Sequence, residues 1–207
     1  MDLIFHKIVK KLLNIREELE NIQEHGKPVV ISMSNIAASG AYWIASTTDW
    51  IVAEPDTITG SIGIFGIVPT FEESLENIGI SADGVGTSKL SEAFDPRYPL
   101  SESANRLLSV SISDGYNQFV ELIVRGRELS LHRVKELATG KVWTGTQAKE
   151  LGLVDELGDE EHARKLAAKL ADLDEETTRP ITLGQPKKKL MGFLPGSKII
   201  SKIFFVI

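Results

Sequence analysis

The chain has 207 residues, 42% of them hydrophobic and 25% charged, with a formal net charge of −6. That length buries a substantial core and suits one α/β domain with an appendage, while the negative balance argues against a broad nucleic-acid surface. Cysteine is absent, which removes disulfides, thiolate metal sites and a cysteine nucleophile together, and His6, His25, His132 and His162 are scattered with no HxxxH pair to hold a metal.

Residues 2–25 read as an amphipathic helix: Leu3, Ile4, Ile8, Leu12, Ile15, Leu19 and Ile22 recur at three- and four-residue steps. Lys7, Lys10 and Lys11 interrupt its apolar residues, so it is not a signal peptide, and no stretch reaches the roughly 20 apolar residues of a membrane helix. Crossover helices join two parallel strands, so a chain opening on one points to an N-terminal portion that this sequence lacks.

Val29-Val30-Ile31 reads as a strand, Ala37 to Ala41 as a small-residue turn, Tyr42 to Ala45 as a helix and Trp50 to Ala53 as a second strand. Thr59-Gly60-Ser61-Ile62-Gly63 is a further turn. Ser39 lies where the first strand hands over to the helix, the usual position of an N-cap hydroxyl. Its small neighbours would also let a carbonyl substrate approach both its Oγ and the next backbone N–H.

Ile64 to Val68 reads as another short strand, residues 70–78 as a helix ended by Gly79, and Ser81 to Gly86 as a strand or extended piece leading to Thr87-Ser88-Lys89. Ile64, Phe65 and Ile67 fit a groove for apolar peptide side chains as well as they fit a core. Residues 90–100, with Pro96 and Pro99, form an irregular loop; Ser101 opens a long helix to about Arg127, and Ser130 caps the next. Thr146 starts a short helix through Leu151, Leu153 to Gly158 is a strand and turn, and Asp159 to Leu173 is a final helix. The pattern degrades from Asp174, so residues 1–173 are read as the folded domain and 174–207 as linker and tail. The tail carries a basic cluster, Pro186 to Lys189, and an apolar end, Ile199 to Ile207, too short to span a bilayer and read as a docked or frayed terminus.

The runs NIAASGAYWIAS, VAEPDTITGSIGIFG, GVGTSKL and GKVWTGTQAKELGLVDELG, in that order over roughly residues 26–170, resemble the signal peptide peptidase A (protease IV) family of serine peptidases. The match is most similar to the C-terminal half of a long member, or to a truncated short one. The resemblance implies an α/β fold, the crotonase/ClpP-like ββα spiral, here without its first N-terminal strands. It also implies a Ser/Lys dyad with no cofactor and no metal. In the family motifs Ser39 is the nucleophile, Gly40 a backbone oxyanion donor, Ser61 a residue that orients the base, and Lys89 the general base. In long members the base comes from the other half, which would make Lys89 a bystander. Before its crossover helix the family carries an S-P-G-G segment, source of a second oxyanion donor, and none occurs within these 207 residues.

The residue types suit the chemistry. A serine hydroxyl needs a base to become a nucleophile, and lysine serves only when neutral, with its pKa lowered from about 10.4. The resemblance further implies a homo-oligomeric ring, signal peptides or short apolar peptides as substrates, and association with the extracytoplasmic face of a membrane through a segment absent from this chain. A catalytically silent assembly module of the same family is the alternative. A crotonase-type hydratase rests on fold analogy alone.

Overall fold

The structure, a computed structural model, describes residues 2–88, 90–174, 179, 181 and 202–205. Helix α1 (Asp2–Glu24) leads into strand β1 (Val29–Met33), followed by β2 (Ile36–Ala38), helix α2 (Gly40–Ala45), β3 (Trp50–Ala53) and β4 (Ile58–Gly60). β1 pairs in parallel with β3, Val30 opposite Trp50 and Met33 opposite Ala53. β2 pairs in parallel with β4, Ile36 opposite Ile58 and Ala38 opposite Gly60. Each strand of the first pair therefore passes the chain to a strand of the second, with α2 between the two turns. This is the ββα spiral that the family resemblance implies.

The rest of the chain closes around that frame. α3 (Glu72–Glu76) is short, and α4 (Glu102–Arg127) and α5 (Leu131–Leu137) start at Ser101 and Ser130, whose side chains accept from Ala104 N and Arg133 N. β5 (Val142–Thr144) joins β4 antiparallel, and α6 (Gly145–Glu150) follows through a reciprocal cap between Thr144 and Gln147. β6 (Glu156–Leu157) extends the first sheet beside β3, and α7 (Glu160–Leu170) begins at Asp159, which accepts from His162 N. β7 (Lys202–Phe205) pairs antiparallel with the other edge of β1, giving the order β6-β3-β1-β7.

Every residue of β1 is buried, as expected of a parallel strand covered on both faces. Its alternation sorts two cores. Val30 and Val52 face Ala163 and Ala167 of α7, whereas Val29, Ile31 and Ile51 join Leu19 of α1 and Phe119 and Ile123 of α4. At Gly126 a Cβ would lie 1.9 Å from the Ser46 carbonyl oxygen, so only glycine lets α4 reach the turn after α2.

The next residue exploits that approach. The Arg127 side chain, 3% exposed, places Nη1 2.6 Å from Asp155 Oδ2. Its Nε donates to the Ser46 carbonyl at 3.1 Å, and its Nη2 to the Thr48 carbonyl. Asp155 Oδ2 also accepts from Ile51 N at 2.7 Å. One guanidinium thus ties the end of α4 to the α2–β3 turn and to the β3–β6 edge.

The strand expected over Ile64–Val68 is not formed, and of the two alternatives for Ser81–Gly86 the strand is not formed either. Residues 64–68 and 81–86 carry no secondary structure, and Phe65 and Ile67 are 82% and 75% exposed. The apolar run at 64–68 supplies the composition of a strand but not its partner, and neither segment pairs with a strand among the described residues. The helix read over 70–78 is limited to Glu72–Glu76, and β6 is shorter than the run from Leu153 to Gly158. Most of 174–207, including the basic cluster at 186–189, lies outside the described residues.

Asp155→Ala strands the buried Arg127 guanidinium and should cost about 3 kcal/mol. Urea unfolding will measure this; Glu161→Ala, which breaks an exposed pair with Arg164 on α7, should leave the midpoint unchanged.

Candidate active site

Ser39 sits between the last residue of β2 and the first of α2, with φ 55° and ψ −119°. That combination lies outside the regions open to ordinary L-residues and costs on the order of 1–3 kcal/mol. It persists because both backbone groups of the serine are engaged: its N–H donates to the Gly60 carbonyl at 2.8 Å, and its carbonyl accepts from Trp43 N at 2.8 Å. The residue is exposed and its hydroxyl makes no capping bond, so it holds the N-cap position by backbone alone. A strained strand-to-helix turn that presents a free serine hydroxyl is the geometry of a nucleophile elbow.

Ser61 occupies the matching place on the neighbouring strand. It follows Gly60, the last paired residue of β4, has φ 52°, and donates its N–H to the Lys141 carbonyl at 2.8 Å. Ala38 faces Gly60 in the register, so Ser39 and Ser61 are the residues that follow a paired position on two adjacent parallel strands. Both leave the sheet at the C-terminal ends of parallel strands, where α/β folds bind ligands. Gly60 itself has φ +78°, and a Cβ there would meet Trp143 Cδ1 at 2.7 Å. The indole therefore packs directly over the backbone that precedes Ser61, with Lys141 Nζ 4.2 Å from the ring centroid.

Gly40 opens α2, so its N–H is among those a helix leaves without an internal partner. Leu12 of α1 lies against it, with Cδ1 2.9 Å from the position of a Cβ. Lys89 lies outside the described residues. On either side of it, Ser91 Oγ accepts from Ser88 N at 3.0 Å and Ser88 Oγ accepts from Leu90 N at 3.2 Å. The structure thus brings Ser39, Gly40 and Ser61 to one end of one sheet.

Two buried threonines that the sequence reading passed over hold this end in register. Thr59 Oγ1 donates to the Ala37 carbonyl at 2.8 Å, and Thr57 Oγ1 to the Ser34 carbonyl at 2.5 Å. Their period-two spacing in Asp56-Thr57-Ile58-Thr59 is the signal that could have found them. Among the described residues, no three His, Asp or Glu side chains are grouped to hold a metal, and no helix is long and apolar enough to cross a membrane.

A peptidase family S49 model matches residues 21–174, which include the whole of this site. The chain belongs to peptidase family S49. It is 47% identical over 165 residues to Protease 4 of Haemophilus influenzae, covering 79% of this chain and 26% of that protein. It is 46% identical to Protease 4 of Salmonella typhi over 77% of this chain and 26% of that one. It is 33% identical to the chloroplastic serine protease SPPA of Arabidopsis thaliana over 82% and 25%. The chain therefore spans about a quarter of the length of these relatives. A solved enoyl-CoA hydratase of Mycobacterium smegmatis aligns over 84% of this chain and 48% of that one, at 13% identity and a TM-score of 0.43.

Because the strain at Ser39 belongs to its Cβ, Ser39→Gly should stabilise this S49 chain by up to about 1 kcal/mol, while Ser39→Ala should not. Thermal unfolding of the two variants beside the parent chain is the measurement; equal midpoints for glycine and alanine would count against strain at this position.

Proposed function

We propose that this chain carries the nucleophile of a serine endopeptidase that cuts signal peptides or other short apolar peptides through an acyl-enzyme on Ser39. The observation that supports this most is the elbow itself: an exposed hydroxyl on a strained strand-to-helix turn, not used as a cap. In the first step Oγ attacks the scissile carbonyl while a base takes its proton. The Gly40 N–H donates to the oxyanion, and the proton passes to the departing amine. Water then attacks the ester, and the hydroxyl is restored.

Lys89 is the proposed base, with Ser61 orienting it. A neutral hydroxyl can hold a lysine amine without stabilising the ammonium as a carboxylate would. A lysine supplied from outside this chain is the variant of the same proposal, and a ring of copies at a membrane surface is its proposed setting. The exposed apolar residues Phe65, Ile67, Ile78 and Ile80 favour a second reading, a catalytically silent module whose role is assembly.

A fluorophosphonate probe separates these readings. The peptidase reading expects an adduct on Ser39 that Ser39→Ala abolishes with folding intact, whereas the silent module gives no adduct. Lys89→Ala should slow labelling by at least about a hundredfold if it is the base, and an unchanged rate would move the base outside this chain.

A further inference from the structure

We infer that Tyr42 is a positioning residue for Ser39: its buried hydroxyl anchors the helix on which the serine's geometry depends. This rests on the reading of Ser39 as nucleophile.

The Ser39 side chain does nothing to hold the helix that it opens. It leaves the start of α2 uncapped, and a helix of six residues does not hold itself. Yet the Ser39 carbonyl must stay on Trp43 N for the elbow to persist, because released backbone would relax out of the positive-φ turn. The first turn of α2 therefore needs an external anchor. Tyr42, three residues after Ser39, is fully buried and donates its hydroxyl to the Leu153 carbonyl at 2.8 Å. Its own carbonyl accepts from Ser46 N at 2.8 Å, closing the helix from the other end.

The anchor point is itself fixed. Leu153 is buried, and its N–H donates to the Ala148 carbonyl of α6 at 2.8 Å. Burial pushes the Tyr42 phenol far above its ordinary range; the Arg127 guanidinium opposes this and the Asp155 carboxylate adds to it. The hydroxyl thus stays a donor at any working pH, and a carbonyl is the partner it requires. The Trp43 ring packs on Phe119 with centroids 4.8 Å apart, which supports α2 laterally; its link to the start of the helix is the backbone bond to Ser39 alone. The division of labour is specific: the tyrosine secures the helix, which leaves the serine hydroxyl unengaged.

Tyr42→Phe keeps the ring and deletes only this bond. Val134→Ala, a buried change in α5, serves as the control for general destabilisation. In the full chain, Tyr42→Phe should slow fluorophosphonate labelling of Ser39 by about tenfold, equivalent to ~1.4 kcal/mol in the barrier. The control should lower the unfolding temperature without changing the labelling rate of the folded protein. Hydrogen exchange at the Trp43 and Ser46 amides gives an independent readout, and Tyr42→Phe should accelerate both more than the control does. Unchanged exchange overturns the inference, as does a labelling rate within twofold of the parent's. A parent chain that takes no label sinks the reading in which this chain supplies both nucleophile and base, and exchange then still decides the anchoring.

Discussion

The parallel pairing of β2 with β4 ends at Ala38 and Gly60, and the site follows from where it ends. On each strand the next residue is a serine with positive φ, because the chain has to leave the sheet there: one strand enters α2, the other runs on past β5. The exits are clamped by backbone bonds, Ser39 N to the Gly60 carbonyl and Ser61 N to the Lys141 carbonyl. Thr59 fastens the paired residues just before them. A turn that would be rare in isolation is over-determined by its neighbours, which is how strain survives at functional sites.

The molecule spends its rigidity unevenly. Around β1 and β3 both faces are covered, a buried guanidinium links three elements, and Gly126 lets backbones approach without a side chain between them. Between Ile64 and Ser88 one short helix is the sole regular structure, and several large apolar side chains face solvent. Segments with few buried contacts open at low cost, so the two regions differ in local stability even though they adjoin in sequence. Ser39 and Ser61 belong to the rigid part, and the approach to Lys89 runs through the loose part.

Much of the frame was legible from the residues. The β-branched runs at Val29 and Ile51 gave the central strands, and Ser101, Ser130 and Asp159 marked helix starts by the chemistry of their side chains. β2 and β4 were not legible, because strands of three residues carry too little periodicity and exist only through each other. The run at Ile64 misled for the converse reason: it has strand composition and no partner. At the site, the motif pointed to Ser39, but a hydroxyl before a helix reads as a cap until its dihedral angles are known. The neighbourhood of Ser39 and Ser61 depends on strand register, and the bond of Tyr42 crosses 111 residues of sequence. Pairings of that kind are written in the fold and not in any local pattern.

β7 has a consequence for how the protein is made. Its residues, 202–205, close one edge of β1, whose own residues emerge from the ribosome far earlier. During synthesis that edge offers unpaired N–H and C=O groups in a strand of mostly apolar residues, the kind of template on which chains add to one another. Domains assemble as they are synthesised, but contacts between distant segments come late and close slowly. The interval between the appearance of β1 and the arrival of β7 is thus the period in which this chain is most exposed to association with its own copies.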